Sequence, residues 1–225
     1  MLGFLQQREK AAMAHEKIIR TDGKVSRSGA VNAESYDEWA SDYDRELASW
    51  GYDAPEQAAG LLKGHLPGFE KAAILDCGCG TGLTGAALRA AGARGALTGL
   101  DASKSSLETA KLKNVYDRLE YADLNKPLPL DDVSVDGILC IGVLTYLEEA
   151  AIFKEWLRVL RAGGVAVFTS RDDFWQSRGI AEMLSRLELE GRWEALHVSQ
   201  PMPYLPGNPD FADKVKAIYA VYGKL

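Results

Sequence analysis

The sequence is poor in cysteine and histidine, with three of each among its 225 residues. An odd number of cysteines leaves one thiol unpaired, and structural zinc sites need four ligands, so neither a disulfide framework nor a zinc site is indicated. We interpret Cys77 and Cys79 as small side chains that fill a crowded turn, with a redox or metal role as the alternative. The composition fits a protein of a reducing compartment, with no structural metal.

Long apolar segments and an excess of positive charge are also missing. No apolar run reaches the roughly 18–20 residues that a membrane span requires. Residues 1–20 contain Glu9 and Glu16 and no long apolar stretch, which is unlike a secretory signal or a transit peptide. We therefore expect a cytoplasmic protein without a membrane partner, and leave the nucleus open.

The charge balance argues against a nucleic-acid partner. Lys and Arg number 26 against 32 Asp and Glu, which gives a net charge of −6. Binding to long phosphate backbones depends on clustered Lys and Arg. The balance favours a smaller acceptor held in a pocket, and it carries no information on the oligomeric state.

The order of elements predicts an α/β fold. From Ala72 onward, short buried strands alternate with helices, and the helices are expected over 83–91, from a cap at Ser103 to about Lys113, over 148–161 and near 177–190. Gly163 and Gly164 are expected to end the third of them. Two consecutive strands in the tail, WEALHVSQ and VKAIYAVYGKL, indicate a hairpin. The prediction is a Rossmann-like, seven-stranded, mostly parallel sheet with an antiparallel C-terminal edge strand.

The sharpest motif follows the first of these strands. The stretch DCGCGTGLTG begins at Asp76, and its last three glycines satisfy G-x-G-x-x-G. Asp101 ends the next strand, 19 residues after Gly82, where a carboxylate accepts hydrogen bonds from ribose hydroxyls or caps a helix. A dinucleotide site is therefore one interpretation. A carboxylate at Asp76 would repel a pyrophosphate and favours an ammonium or sulfonium cation instead. Asp123 ends a third strand, where it could accept from an adenine amino group or remain solvated.

These segments together resemble a known family. ILDCGCGTGLTG, GLDAS, YADL and CIGVLTYL, in this order, are similar to the motifs of class I S-adenosylmethionine-dependent methyltransferases, over residues 33–225. YDEWASDYD, which begins at Tyr36, resembles the opening of the Williams–Beuren-region methyltransferase-like proteins. The resemblance implies S-adenosyl-L-methionine as cofactor. It also implies a helical segment and linker over residues 1–50 that covers the cofactor, followed by a methyltransferase domain over 51–225.

The resemblance further implies a set of residues that bind the cofactor. Three glycines would wrap its methionine part, and these are Gly78, Gly80 and Gly82. Polar and backbone groups at strand ends would hold the amino end, the ribose and the adenine, and these are Asp76, Asp101, Ala102, Asp123 and Leu124. Two residues would flank the methyl-transfer point, Cys140 and Gly142. Two tyrosines would cover the cofactor, Tyr36 and Tyr43, although with Trp39 they also form a helical stripe that core packing alone explains.

The acceptor side is less defined. Strand ends and the tail loop offer five candidates for the acceptor pocket, namely Tyr146, Arg171, Asp172, Trp175 and Tyr204. No residue stands out as a general base, and the stretch from Cys140 to Val143 lacks the Asn-Pro-Pro-Tyr signature of many amino-group methylators. The hypothesis is methyl transfer to a small-molecule or protein acceptor. The alternatives are a non-catalytic protein that binds an S-adenosyl cofactor, and an NAD-dependent oxidoreductase.

Overall fold

A computed structural model describes residues 44–208, 212 and 214–225 of the chain. Its strands are β1 (Ile74–Cys77), β2 (Leu97–Asp101), β3 (Arg118–Tyr121), β4 (Val135–Cys140), β5 (Leu160–Arg171), β6 (Trp193–Val198), β7 (Met202–Pro203) and β8 (Lys216–Lys224). Its helices are α1 (Ala54–His65), α2 (Leu83–Ala91), α3 (Lys104–Leu112), α4 (Glu149–Val159), α5 (Asp172–Ser177) and α6 (Ile180–Leu189). Short 3-10 turns cover Phe69–Lys71 and Leu144–Tyr146.

The strands form one sheet in the order β3-β2-β1-β4-β5-β8-β6, with β7 paired to β8. The first five strands in this order run parallel, whereas β8 lies antiparallel between β5 and β6. The Rossmann-like, mostly parallel sheet with an antiparallel C-terminal strand is therefore confirmed, although that strand, β8, lies one place in from the edge, which β6 forms. The sheet has eight strands because the two-residue β7 continues the edge beyond β6. The carboxyl ends of β1, β2 and β4 lie side by side, where sheets of this kind place ligands.

Apolar layers cover both faces of the sheet. On one face, Phe153 and Trp156 of α4 pack on Phe168 of β5, with ring centroids 5.4 and 5.5 Å away. On the other face, Leu62 of α1 and Leu88 of α2 are fully buried against β1, β4 and β5. Every residue of β1 is buried, as expected for a strand covered on both sides. This core holds the loops at the strand ends in place.

Some element bounds differ from the sequence-based expectation. Helix α2 begins and ends where it was predicted, and Ser103 caps α3 by accepting a hydrogen bond from the Ser106 N–H at 3.1 Å. Helix α4 instead ends at Val159, because Leu160 already pairs with Val135 of β4 and the strand runs on through both glycines. The single helix predicted near 177–190 is two helices, α5 and α6. They are separated by Gly179, whose φ is +65°.

The helical residues 44–49 join the domain through the loop after β7. Leu47 is buried with Leu205 and Val215, and the Gly207 N–H donates to the Trp50 carbonyl at 2.8 Å. A side chain at Gly207 would lie 2.9 Å from the Cα of Trp50, so the two backbones touch. Tyr36, Trp39, Tyr43 and the rest of the segment up to residue 43 lie outside the described residues.

Candidate cofactor and acceptor site

The glycine loop between β1 and α2 lies at the center of the sheet. Gly78, Gly80 and Gly82 all have positive φ, at +75°, +51° and +93°. A side chain at Gly78 would collide with Val143, and one at Gly82 would press on Tyr116. A Cβ at Gly80 would meet no atom of the described residues within 4 Å. Gly80 is therefore the position where the loop leaves its backbone open to a ligand.

Asp101 ties this loop to the end of β2. Its Oδ2 accepts from the Gly80 N–H and its Oδ1 accepts from the Ser103 N–H, both at 2.8 Å. In the structure, Ser103 rather than Asp101 caps helix α3. A carboxylate only accepts hydrogen bonds and has about four lone-pair sites, so it is the type of group that binds ribose hydroxyls. Asp101 ends β2, as the sequence predicted, but the sequence gave no sign that its side chain also bonds to the glycine loop.

Asp76 lies beneath the loop and is fully buried. Its Oδ2 accepts a hydrogen bond from the Tyr116 hydroxyl at 2.6 Å, whereas Oδ1 has no partner among the described residues. Burial raises the pKa of Asp76 to about 7, and the nearby Asp101 adds to the rise while the Tyr116 hydrogen bond opposes it. A cation bound above the loop would favour the ionised carboxylate.

Tyr116 fills the space that the loop glycines leave on their inner side. Its hydroxyl accepts from the Gly85 N–H at 3.0 Å, and a Cβ at Gly85 would lie 2.3 Å from its ring. Contact with the Tyr116 ring therefore explains why residue 85 is a glycine. Sequence reasoning missed Tyr116, because no spacing rule links a residue just before β3 to a glycine loop 31 positions earlier.

At the end of the third strand, the Asp123 carboxylate interacts with residues of its own turn. Asp123 Oδ1 accepts from the Asn125 N–H at 3.1 Å, and Oδ2 lies 3.5 Å from the Lys126 ammonium. Leu124 is buried in the core, and Ala102 is half-buried directly after Asp101. The Asp123 carboxylate therefore remains partly exposed at the same sheet edge, in a local turn of its own.

Two tyrosines meet at the end of β4. The Gly142 N–H donates to Thr169 Oγ1 at 2.8 Å, and a Cβ at Gly142 would lie 2.4 Å from the Tyr204 hydroxyl. The Tyr204 hydroxyl donates to that of Tyr52 at 3.4 Å, and their rings meet edge to face with centroids 5.4 Å apart. Burial raises the pKa of Tyr204 to about 12, so this phenol stays protonated. Sequence reasoning did not identify Tyr52.

The three thiols are buried. Burial raises the pKa of Cys77, Cys79 and Cys140. Cys140 belongs to the apolar core next to β1 rather than to an open cleft. Buried, protonated thiols are poor nucleophiles, which favours the packing interpretation.

The remaining acceptor candidates are spread around this end of the sheet. Tyr146 is half-buried in the 3-10 turn after β4. Arg171 pairs with Asp173 at 2.7 Å and stacks over Phe174, while Asp172 is half-buried at the start of α5. Trp175 is buried in the core, which accounts for this side chain by packing. Among these candidates, Tyr204 is close to the end of β4 through its approach to Gly142.

Asp44 connects the first described residues to the glycine loop. Its Oδ1 accepts from the Thr81 hydroxyl at 2.5 Å, and its Oδ2 accepts from the Lys113 ammonium at 2.6 Å. Lys113 also donates to the Thr81 carbonyl at 2.7 Å. The chain that leads into residues 1–43 is thus bonded beside Gly80. Within the described residues no helix is long and apolar enough to cross a membrane.

Comparison with known proteins gives consistent matches. Residues 75–168 match a family model described as a methyltransferase domain. The chain is 37% identical to human methyltransferase-like protein 27 over 72% of its own length and 67% of that protein. It is 34% identical to the demethylmenaquinone methyltransferase of Clavibacter sepedonicus, over 61% of its length and 56% of that enzyme. A TehB-like SAM-dependent methyltransferase from Corynebacterium glutamicum has the same fold, with a TM-score of 0.63 at 23% identity, and the match covers 85% of this chain and all of that one.

Proposed function

This chain belongs to the S-adenosylmethionine-dependent methyltransferases, and we propose that it methylates a small organic molecule bound near Gly142. The family assignment makes S-adenosyl-L-methionine the cofactor and displaces the nicotinamide alternative. The finer proposal concerns which residues hold the cofactor and what the acceptor is.

The open backbone at Gly80 is the observation that carries the proposed cofactor site. Among the described residues, protein atoms lie close to Gly78 and Gly82 where a Cβ would stand, whereas none lies within 4 Å of a Cβ at Gly80, whose N–H donates to Asp101. Asp76 Oδ1, which has no hydrogen-bond partner among those residues, suits a cation held nearby. We assign the ribose to Asp101 beside Ala102, and the adenine edge to Asp123 and the Leu124 backbone. The methionine part is assigned to the glycine loop and Gly142, with Cys140 packed behind them in the core.

When bound, the cofactor supplies a methyl group on a cationic sulfur, which is already activated for in-line displacement. The chain then has to align the acceptor, exclude water and stabilise the charges around the sulfur. With a cation bound, Asp76 would be ionised and would contribute negative charge below the loop. The phenol groups of Tyr52 and Tyr204 can orient an acceptor through hydrogen bonds at the end of β4.

A small acceptor is favoured over a macromolecule. Tyr204 meets Gly142 at the end of β4 and packs edge to face on Tyr52, and the segments that carry these tyrosines are in contact at Trp50 and Gly207. Aromatic side chains around the methyl-transfer point suit a small organic ring better than a long polymer. The bacterial relative carries demethylmenaquinone in its name, which is an acceptor of this kind.

The cover over residues 1–50 remains part of this proposal. Asp44 is bonded to Thr81 and Lys113, so the segment before it starts beside the glycine loop. From there Tyr36 and Tyr43 would reach the cofactor. Such a cover would keep bulk water from the transferring methyl group.

The test uses S-adenosyl-L-methionine with an isotopically labelled methyl group. The full chain is incubated with this cofactor and a cell extract, and the label is followed by mass spectrometry in the small-molecule and protein fractions. We expect the label on a small molecule, and none with a cofactor-binding variant such as Asp101→Ala. Label on protein would overturn the small-acceptor proposal. S-adenosylhomocysteine binding without any labelled product would favour the non-catalytic alternative.

A further inference from the structure

Two histidines face each other on elements that the proposed methyl transfer does not use. His65 is the last residue of α1 and His197 lies on the edge strand β6. Their ring centroids are 6.3 Å apart and the ring planes differ by 37°. Both line a groove of about 370 Å³ between α1 and the β6–β7 edge, together with Leu61, Ser199, Met202 and Tyr219 among others. None of these groove residues belongs to the site described above.

A hydrogen bond fixes which nitrogen of the His65 ring carries a hydrogen. Nδ1 lies 2.9 Å from the Leu61 carbonyl oxygen, which can only accept. Nδ1 therefore carries a hydrogen, and in the neutral ring Nε2 presents a free lone pair. Metal-binding histidines in proteins show this same arrangement, with the second ring nitrogen donating to a backbone carbonyl or carboxylate. The bond also holds the ring in one orientation at the end of a helix.

His197 owes its position to an irregularity in the sheet. The pairing of β6 with β8 shifts register between Ala195 and His197, so Leu196 is an extra residue on the edge strand. Bulges of this kind redirect side chains and recur near functional sites. His197 is exposed and its ring faces that of His65 across the groove.

From this pairing we propose that His65 and His197 together bind a divalent transition-metal ion, with Zn²⁺ as the reference ion. A Zn–N bond of about 2.0–2.1 Å puts each imidazole centroid roughly 3.2 Å from the ion, so two ligating rings lie at most ~6.4 Å apart. A tetrahedral angle brings the centroids to about 5 Å, which the exposed His197 reaches by a change of rotamer. The observed 6.3 Å falls inside this range.

Water completes the coordination in this proposal. The described residues contain no group of three or more His, Cys, Asp and Glu side chains that could hold a metal. Ser199 Oγ already donates to the Gln200 carbonyl and accepts from the Tyr219 N–H. A site with two protein ligands and open positions binds more weakly than a structural zinc site, and it connects α1 to the sheet edge. The buried thiols are not available to compete for the ion in the folded protein.

The test is titration of the purified, metal-free full chain with Zn²⁺ against a chromophoric chelator, with Mg²⁺ as a hard-ion control. We expect one Zn²⁺ per chain, a rise in Tm on binding, and no response to Mg²⁺. His65→Ala and His197→Ala should each weaken this binding at least about 10-fold and abolish the rise in Tm. His15→Ala, which removes the third histidine of the sequence, is the matched control and should bind as the wild type does.

Several outcomes would overturn the proposal. These are no binding of Zn²⁺ to the wild type, binding that survives both groove variants, and binding that is lost in His15→Ala. Far-ultraviolet circular dichroism and cooperative thermal unfolding without Zn²⁺ verify that each variant is folded. Because Zn²⁺ binding is measured without cofactor or acceptor, this result is independent of the proposed methyl transfer.

Discussion

Tyr116 and Asp76 form a buried pair below the glycine loop, in which the phenol donates to carboxylate Oδ2 at 2.6 Å. The same phenol oxygen accepts from the Gly85 N–H, so one side chain supports both the loop and the carboxylate. The second carboxylate oxygen has no partner among the described residues. Ionising Asp76 in the absence of a cation is therefore unfavourable in the folded protein.

Stability should depend on pH through Asp76. Burial raises its pKa from 3.8 to about 7, so the folded protein holds a proton that the unfolded chain releases. This stabilisation is fully present below about pH 4 and is lost as the pH rises through about 7, with a total of roughly 4 kcal/mol. Urea unfolding of the wild type and Asp76→Asn across this range measures it. The wild type should lose stability relative to the variant as pH increases. Parallel pH profiles would contradict the raised pKa of the buried Asp76 carboxyl.

Two glycine substitutions should separate ligand contact from packing. Gly80→Ala adds a methyl group into open space at φ +51°, so we expect a stability loss of only about 1 kcal/mol but much weaker S-adenosylhomocysteine binding. Gly85→Ala drives a methyl group into the Tyr116 ring and should cost about 2–3 kcal/mol of stability. Thermal denaturation and calorimetric titration give both quantities. Undiminished cofactor binding by Gly80→Ala would place the cofactor elsewhere.

The bonds of Asp44 should matter for cofactor affinity. Asp44→Ala removes the acceptor of the Thr81 hydroxyl and of the Lys113 ammonium. The pair is partly exposed, so the expected change in binding free energy is about 1 kcal/mol, equivalent to several-fold weaker S-adenosylhomocysteine binding. Ser49→Ala in the same segment removes only a bond to the Glu46 carbonyl and serves as the control. Equal affinities for the two variants would argue against a cover anchored at Asp44.

Gly142 and Tyr204 should be energetically coupled. Gly142→Ala puts a methyl group 2.4 Å from the Tyr204 hydroxyl, and its φ of +74° adds backbone strain. Tyr204→Phe removes that oxygen and should recover part of the lost stability, about 1 kcal/mol, in the double variant. A double-mutant cycle of unfolding free energies measures the coupling. Additive losses would show that the two residues do not touch in solution.

Much of this fold could be predicted from the sequence, because local capping and turn residues agree with the hydrophobic periodicity. The limits of α2 and the Ser103 cap follow from residues within one turn of each other, and both were predicted. The end of α4 was not predicted. Leu160 pairs with Val135 of β4, and the local sequence does not reveal this partner. The composition predicted one continuous helix near 177–190, but Gly179, which has a positive φ, separates α5 from α6.

The residues of the candidate site also divide into those that a motif predicts and those that only distant contacts explain. Asp76, Gly80 and Asp101 carry a recognisable spacing, so the strand ends where they lie could be anticipated. Tyr116 and Tyr52 belong to no motif, since their roles depend on contacts 40 and 152 positions away along the chain. The Asp44 bonds likewise span 37 and 69 positions. Such contacts exist only after the sheet has assembled.

The most direct test of the account is a calorimetric titration of S-adenosylhomocysteine into the wild type, Asp101→Ala and Asp117→Ala. Asp101 and Asp117 each accept a backbone N–H at 2.8 Å, but only Asp101 lies at the glycine loop. We predict that Asp101→Ala, shown to be folded by circular dichroism, binds at least about 10-fold more weakly, whereas Asp117→Ala retains the wild-type affinity. If folded Asp101→Ala binds as tightly as the wild type does, Asp101 does not hold the cofactor and the proposed site is wrong.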